Sequence, residues 1–263
     1  MEAYFSTKEM CHIFDVGRET LRHYENIGLL HPLINPENGY RNYEYWDVGA
    51  MIDILKYRSV GLSLKETGRA MFGSSFEDIV NHLNVQQEVC QEQLMHYKML
   101  AKKISIDMDY INRVHNNFGV LYELEPRELY FVACINPPPD KETEERLKKV
   151  FRNCQFFSTS WLFDENTPPT SYWHGIGFTT EREFAEYLKI DGGVTLNTGR
   201  GVGGFLDIKG KEKICPLTFE EFNRDVYKKY PKASKETLGI LLSRFIDQNG
   251  EYHQYIFVRK AID

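Results

Sequence analysis

Two arginines four residues apart, Arg18 and Arg22, follow the break Asp15-Val16-Gly17 and precede a segment closing in Gly39-Tyr40-Arg41-Asn42-Tyr43. On a helix that spacing puts both guanidiniums on one face. A guanidinium carries five donors in a fixed fork, which can read base edges in a major groove or grip phosphates. Leu21 and the stretch Tyr24 to Ile27 fall on the opposite, packing side. Farther along, His31-Pro32 opens an extended segment and Pro36-Glu37-Asn38-Gly39 supplies an Asn-Gly hairpin turn. Tyr40, Arg41 and Tyr43 then ride the return strand, where they can lie on a phosphate backbone as a wing. Taken alone, an arginine pair at helical spacing is equally consistent with a solvated face.

The elements that must hold these side chains are also legible. Ser6 and Glu9 have capping-box spacing and start a helical pattern that runs to Phe14. A second short helix begins after the break, so the pair reads as a helix-turn-helix. The segment Thr20 to Tyr43 resembles the N-terminal domain of the MerR family of transcription regulators, whose signature combines "TLR-Y-Y-IGLL-P" with "GYR-Y". The matching residues are Thr20-Leu21-Arg22, Tyr24, Ile27-Gly28-Leu29-Leu30, Pro32, Gly39-Tyr40-Arg41 and Tyr43. The likeness continues through IDILKYRSVGLSLKETGRAM, which matches the family's third helix, second wing and fourth helix. It departs at His23, where an aromatic is usual, and at Asp15, where a turn glycine is common. Asp15 places a negative charge near the start of the second helix, where it is expected to favour capping. The implied unit is a winged helix-turn-helix over residues 1–73, with DNA contacts expected from Arg18, Arg22, Tyr24, Tyr40, Arg41, Tyr43 and Arg58.

Charge sets a limit on this reading. The formal net charge is −6, and the first 72 residues hold 8 Lys plus Arg against 10 Asp plus Glu. No uniformly basic footprint exists, so binding must come from local placement of Arg18, Arg22, Arg41, Lys56, Arg58 and Arg69. With 263 residues, 42% hydrophobic and 14% aromatic, the chain has material for two domains with their own cores. No apolar run approaches a membrane span and no leader pattern opens the sequence, so a cytoplasmic protein is expected. Five cysteines, Cys11, Cys90, Cys134, Cys154 and Cys215, lie far apart without a CxxC pair and are expected to be buried, reduced thiols.

From Ser74 to Phe118 a second feature opens on another capping-box spacing, Ser74 to Glu77. Phe76, Leu83, Cys90, Tyr97, Ile104, Ile111 and Phe118 recur every seven residues, with Val80, Gln87, Leu94, Ala101, Met108 and His115 at the companion positions. This predicts a coiled-coil seam about 65 Å long over residues 74–118, longer than one core of this size needs. The family resemblance implies an antiparallel homodimer through that helix; the alternative is an amphipathic helix lying on its own domain. Cys90 keeps the heptad register and is read as core. Gln87 and His115 are expected to set register, and no second metal ligand accompanies His115 at helical spacing. Metal-sensing and redox-sensing members of the family carry cysteines at the end of this helix, where this chain has none, so no metal or cofactor is expected.

Residues 119–263 divide into two passages with one order of elements: strand, helix, strand, strand. The first comprises Leu129 to Asn136, a helix from about Lys141 to Phe156, Ser158 to Phe163 and Tyr172 to Phe178. The second comprises Val202 to Ile208, a helix from Thr218 to Tyr230 with Thr218 and Glu221 at capping-box spacing, Gly239 to Asp247 and Tyr252 to Arg259. A duplicated βαββ unit predicts one sheet with helices on one side and a cleft between the halves, making the whole chain α+β. The order and the ending QYIFVRKAI resemble the GyrI-like effector-binding domain found behind MerR-type heads. Gly199 to Gly204 fits G-x-G-x-x-G, but a strand follows it rather than a helix, so nucleotide binding is set aside.

The aromatic content of this half predicts a pocket for a flat hydrophobic compound, with Trp161, Tyr172, Trp173, Phe245 and Tyr255 as candidate contacts. Trp173 shares a strand face with Gly175 and Gly177, which either leave open space beside the ring or are covered by a closely packed helix. Members that bind cationic drugs resemble one another in a buried Glu on the penultimate strand. In LLSRFID that position falls near Ser243, beside Arg244, with Asp207, Asp247 or Glu251 as possible substitutes. The expectation is a dimeric regulator of a palindromic promoter, responsive to a small lipophilic or aromatic effector and working with RNA polymerase by distorting spacer DNA. Rival readings are a small-molecule hydrolase in the C-terminal domain and a ligand-independent repressor.

Overall fold

The computed structural model describes residues 4–73, 76–114, 117–133, 140–168, 175–197 and 199–262. They form two compact units, Met1–His96 and Tyr97–Asp263. The mixed α+β composition matches the expectation, and no described helix is long and apolar enough to cross a membrane.

In the first unit, β1 (Phe5–Ser6) leads into α1 (Thr7–Phe14), then α2 (Arg18–Asn26), the hairpin β2 (Leu33–Ile34) and β3 (Arg41–Tyr43), α3 (Tyr45–Ser59) and α4 (Leu64–Phe72). The expected capping box opens α1: Ser6 Oγ accepts from the Glu9 N–H, and Glu9 Oε2 accepts from the Ser6 N–H at 2.8 Å. Asp15 closes α1 in the left-handed region at φ 50°, the conformation for which a glycine is suited. It therefore ends the first helix through its backbone and does not cap the second, whose N-cap is Gly17 without a side-chain bond. Met10, Leu21, Tyr24, Leu29, Leu30, Tyr43, Met51 and Ile54 make the core. Strand β3 lies between β1 and β2, with Phe5 opposite Tyr43 and Ile34 opposite Arg41.

Helix α5 (Phe76–Val114) spans the division between the units. Its described C-terminal portion has two distinct faces. Lys103, Tyr110 and Val114 lie on one side; Lys103 and Val114 are buried, and the Tyr110 ring sits 4.8 Å from that of Phe257. The heptad residues Tyr97, Ile104, Met108 and Ile111 are all exposed on the chain by itself. Cys90, expected in the core, is exposed too, as is Cys154; Cys215 is buried and Cys11 intermediate. Ser74, His115 and Cys134 lie outside the described residues. Phe118 does not continue the helix, because its backbone bridges to Phe205 and its ring meets Tyr255 edge-on at 5.1 Å.

The second unit contains β4 (Tyr122–Leu124), β5 (Glu128–Ala133), α6 (Lys141–Arg152), β6 (Ser158–Phe163), β7 (Ile176–Glu181), α7 (Arg182–Tyr187), β8 (Val194–Asn197), β9 (Gly201–Lys209), α8 (Glu220–Lys229), β10 (Thr237–Ile246) and β11 (Tyr252–Ala261). They build one antiparallel sheet in the order β4-β9-β11-β10-β6-β7-β5-β8. Its centre is symmetric in the repeat: β9, β10 and β11 correspond to β5, β6 and β7. The halves meet where β6 pairs β10, Phe163 opposite Thr237 through Ser160 opposite Ile240. The sequence reading missed the short β4, α7 and β8, whose apolar residues are too few to give a period. The expected Thr218–Glu221 capping box is not formed. Thr218 instead bonds back to Cys215 in a 3-10 turn, Pro216–Phe219, and α8 starts at Glu220.

Alternation along the strands separates two cores. On one face Trp161, Phe163, Ile256 and Val258 pack under Phe219, Phe222 and Val226. The same face continues through Tyr130 and Val132 to Val150 of α6 and Ala185 of α7. On the other, Phe131, Phe205, Leu238, Ile240 and Phe257 meet Tyr110 and Val114 of α5. Gly177, expected to border either a pocket or a covering helix, meets neither: a Cβ there would stand 2.4 Å from the Val132 carbonyl oxygen and 2.6 Å from the Phe131 ring, both of the adjacent strand β5. A Gly177→Ala substitution is expected to cost about 1–3 kcal/mol through overpacking. A lowered urea midpoint for the C-terminal unit is the readout, and an unchanged midpoint would contradict this contact.

Candidate functional site

Helix α2 presents Arg18 and Arg22 to solvent while Leu21 and Tyr24 enter the core, as 3.6-residue periodicity requires. Glu25, one turn beyond Arg22, holds the hairpin to this helix. Its Oε2 accepts from Arg41 Nε at 2.7 Å and its Oε1 accepts from the Tyr43 hydroxyl at 2.6 Å. The carboxylate is only 12% exposed, so little water competes for either bond. Burial, together with this bond to a carboxylate, pushes the Tyr43 phenol well above its ordinary pKa. At the hairpin tip Asn35 Oδ1 accepts from the Glu37 N–H and Asn38 Oδ1 from the Tyr40 N–H, with Gly39 at φ 71°. These local bonds stiffen a loop that leaves the Tyr40 ring 71% exposed.

A groove of about 690 Å³ runs between the start of α1, the outer face of α2 and this hairpin. Thr7, Lys8, Arg18, Arg22, Tyr40 and Arg41 line it. The structure thus brings together five of the expected contact residues, Tyr43 among them, and adds Lys8, which sequence reasoning passed over because no period links α1 to the groove. Tyr24, Tyr43 and Arg58 hold the fold together. Tyr24 is buried among the core residues, and Tyr43 is wholly buried as the hairpin's anchor. Arg58 is outside the groove; its Nη1 donates to the Leu62 carbonyl at 2.7 Å and secures the turn between α3 and α4.

In the C-terminal unit the expected ligand contacts separate. Trp161 belongs to the face under α8, whereas Tyr255 packs with the core on the opposite face. One sheet face cannot present both, so they do not wall a common pocket. Tyr172 and Trp173 lie outside the described residues. Phe245 and Tyr255 do meet, edge-on at 4.9 Å, and Phe118 adds a third ring. Ser243 carries no acid, and Arg244 Nε donates to Gln254 Oε1 at 3.3 Å. The three acids considered as substitutes converge on one buried ring: His253 Nδ1 is 2.9 Å from Asp207, and Nε2 lies 3.8 Å from Asp247 and 3.6 Å from Glu251. The bond to Asp207 is the main cause that raises the His253 pKa. Phe245 stacks on the same imidazole at 5.0 Å.

A separate cavity of about 290 Å³ reaches Lys260, which is 2% exposed. Its Nζ donates to Thr237 Oγ1 at 2.9 Å and to Asn223 Oδ1 at 3.4 Å, above the Tyr227 ring. Burial lowers its pKa to about 8. Strand periodicity places Lys260 on the inward face, but a lysine near a chain end reads as solvent-facing, and only the packed neighbours show otherwise.

Two outcomes follow from this geometry. Replacing Glu25 by Ala leaves the buried Tyr43 hydroxyl without an acceptor and frees Arg41, which should cost about 1–3 kcal/mol. Thermal unfolding together with faster amide exchange across residues 35–43 would show it; unaltered exchange would refute the anchoring role. For Lys260, the folded state releases its proton near pH 8 and the unfolded chain near 10.5, so unfolding takes up a proton between those values. Wild-type stability should therefore rise with pH across that window, and Lys260→Met should flatten the rise when urea midpoints are compared from pH 7 to 10. Parallel curves would overturn the assignment.

Residues 6–43 match the profile described as MerR family regulatory protein. The multidrug-efflux transporter 2 regulator of Bacillus subtilis is 31% identical over 100 residues, 38% of this chain and 37% of that protein. The HTH-type transcriptional activator TipA of Streptomyces coelicolor is 29% identical over 142 residues, 54% of this chain and 53% of that one. The chain thus spans about half or less of the length of these relatives. Among solved structures, the N-terminus of Mta, the Bacillus subtilis multidrug transporter activator, is 27% identical, covering 40% of this chain and 97% of that one with a TM-score of 0.34. Residues 6–43 of this chain, which fold as a helix-turn-helix with its hairpin, are thus similar to the MerR family regulatory protein profile.

Proposed function

We propose that this protein is a dimeric, ligand-responsive transcription regulator that reads double-stranded promoter DNA through α2. The observation that carries the reading is the groove in which Arg18 and Arg22 on one helical face stand beside a hairpin locked to that helix through Glu25. An α-helix of this kind fits a major groove, and a wing bearing Tyr40 fits the flanking phosphates. The local acids Glu19 and Glu25 and the overall charge of −6 limit non-specific attraction, so affinity rests on few contacts and falls with salt.

The heptad stripe of α5 supports a homodimer over residues 74–118. Leu83, Leu94, Tyr97, Ile104, Met108 and Ile111 form a run of large apolar side chains left in water by a single chain. In the C-terminal part of the helix Tyr110 and Val114 already pack on the sheet, so this seam on another side is available to a second copy. In this reading residues 1–73 read DNA and residues 119–263 bind a small hydrophobic effector. The effector favours the dimer state that distorts the promoter spacer for RNA polymerase. A differential affinity of about 1.4 kcal/mol between two states shifts their ratio tenfold. Two of the relatives are named as a multidrug-efflux regulator and a transcriptional activator, which is in keeping with such a role.

Arg22→Ala is expected to weaken binding to a selected operator by about 1 kcal/mol or more while the dimer persists. Gel-shift titration with light scattering on the same samples measures both. Unchanged affinity for Arg22→Ala and for Arg18→Ala would remove the groove from the interface.

A further inference from the structure

We propose that His253, Asp247 and Glu251 form a binding site for a divalent transition-metal ion of the zinc class at the turn joining β10 to β11. The site stands apart from the DNA-reading groove and does not depend on it. One donor atom from each of the three residues lies within 4.8 Å of the other two.

The independent observation is the state of the histidine. His253 is 8% exposed, clamped on one side by Phe245 stacked at an interplanar angle of 10° and held through Nδ1 by Asp207 at 2.9 Å. With the Nδ1 proton directed at Asp207, the Nε2 lone pair is aimed at Asp247 Oδ2 and Glu251 Oε2. Those separations, 3.8 and 3.6 Å, are too long for hydrogen bonds. A buried ring nitrogen therefore points between two carboxylates without bonding to either. Donors about 2.0–2.1 Å from a tetrahedral ion stand roughly 3.4 Å from one another. The two separations from His253 exceed that by only a few tenths of an ångström, and all three donors lie within 4.8 Å.

The surroundings fit the same occupant. A carboxylate on the far nitrogen of a metal-bound imidazole fixes the tautomer and raises ligand basicity, which is the position Asp207 holds. Asp247 is fixed as well, its Oδ1 accepting from the Asn249 and Glu251 N–H groups at 2.9 and 2.8 Å. Lys209 Nζ donates to Glu251 Oε2 at 2.9 Å, so the oxygen that faces His253 is already held in place and an ion would share it with that ammonium. Three carboxylates thus face one imidazole and one ammonium, a negative excess that a dication offsets. One nitrogen and two oxygens suit zinc or manganese, and at such sites zinc binds the more tightly. A fourth position remains for water or a ligand donor beside Phe245 and Tyr255. Sequence reasoning expected no metal here: the three ligands fall within seven positions, but Asp207, which fixes the imidazole, lies 46 positions before His253.

The test uses Zn²⁺ alone, titrated calorimetrically into metal-free full-length protein, with Co²⁺ absorption as the report on coordination. One ion per chain should bind, and a tetrahedral cobalt spectrum should appear. Asp247→Asn with Glu251→Gln should abolish both, and Asp207→Asn should weaken binding about 10–100-fold. Circular dichroism verifies the fold; should the double variant unfold, Glu251→Gln alone in the exposed turn carries the comparison. No uptake by the wild type overturns the proposal, and so does uptake that Glu251→Gln and Asp207→Asn leave unchanged, since that would be ordinary surface histidine binding. A wild type whose three acids respond only to protonation of His253, with no zinc dependence, overturns it as well.

Discussion

The N-terminal unit depends on one carboxylate. Glu25 sits on α2 and bonds both Arg41 and Tyr43 of the hairpin, so the angle between helix and hairpin is set by side chains rather than by continuous backbone pairing. Its shielded position strengthens both bonds, because water cannot replace them cheaply. The consequence for recognition is that Arg41 serves two ends: one nitrogen is tied to Glu25 while the side chain still borders the groove. Arg18 and Arg22 then project from a surface whose neighbour is already in place, and less order has to be acquired on binding.

In the C-terminal unit the equivalent constraint is the joint between β6 and β10. Two copies of a βαββ unit share one sheet through that pair, and every inward side chain is thereby assigned to the α8 face or to the α5 face. Helix α5 takes part in this division. It covers sheet with Tyr110 and Val114, yet it presents a heptad stripe on another side. Domain cover and an exposed heptad stripe thus occupy different faces of the same helix.

Beside the α5 face, the turn of β10 and β11 gathers aromatic rings and acids around His253. Phe245 belongs to both sets: its ring meets Tyr255 edge-on and lies flat on the imidazole. Anything that moves the histidine therefore moves the aromatic wall. This gives the C-terminal unit a mechanical link between charge and shape that neither feature has alone.

What the sequence by itself determined is local. The capping box at Ser6, the paired arginines of α2, the Asn-Gly turn, the heptads and the duplicated order of elements all depend on residues a few positions apart, and helix and strand periods encode them directly. Tertiary structure alone decided which aromatics share a surface. Trp161 and Tyr255 look equivalent in composition, yet strand alternation and register put them on opposite sides of the sheet. It also decided that Tyr24 and Tyr43 serve the core, that Gly177 receives a neighbouring strand rather than a ligand, and that Asp207, Asp247, Glu251 and His253 meet. Such encounters depend on the register between strands such as β9 and β11, which no spacing along a single strand specifies.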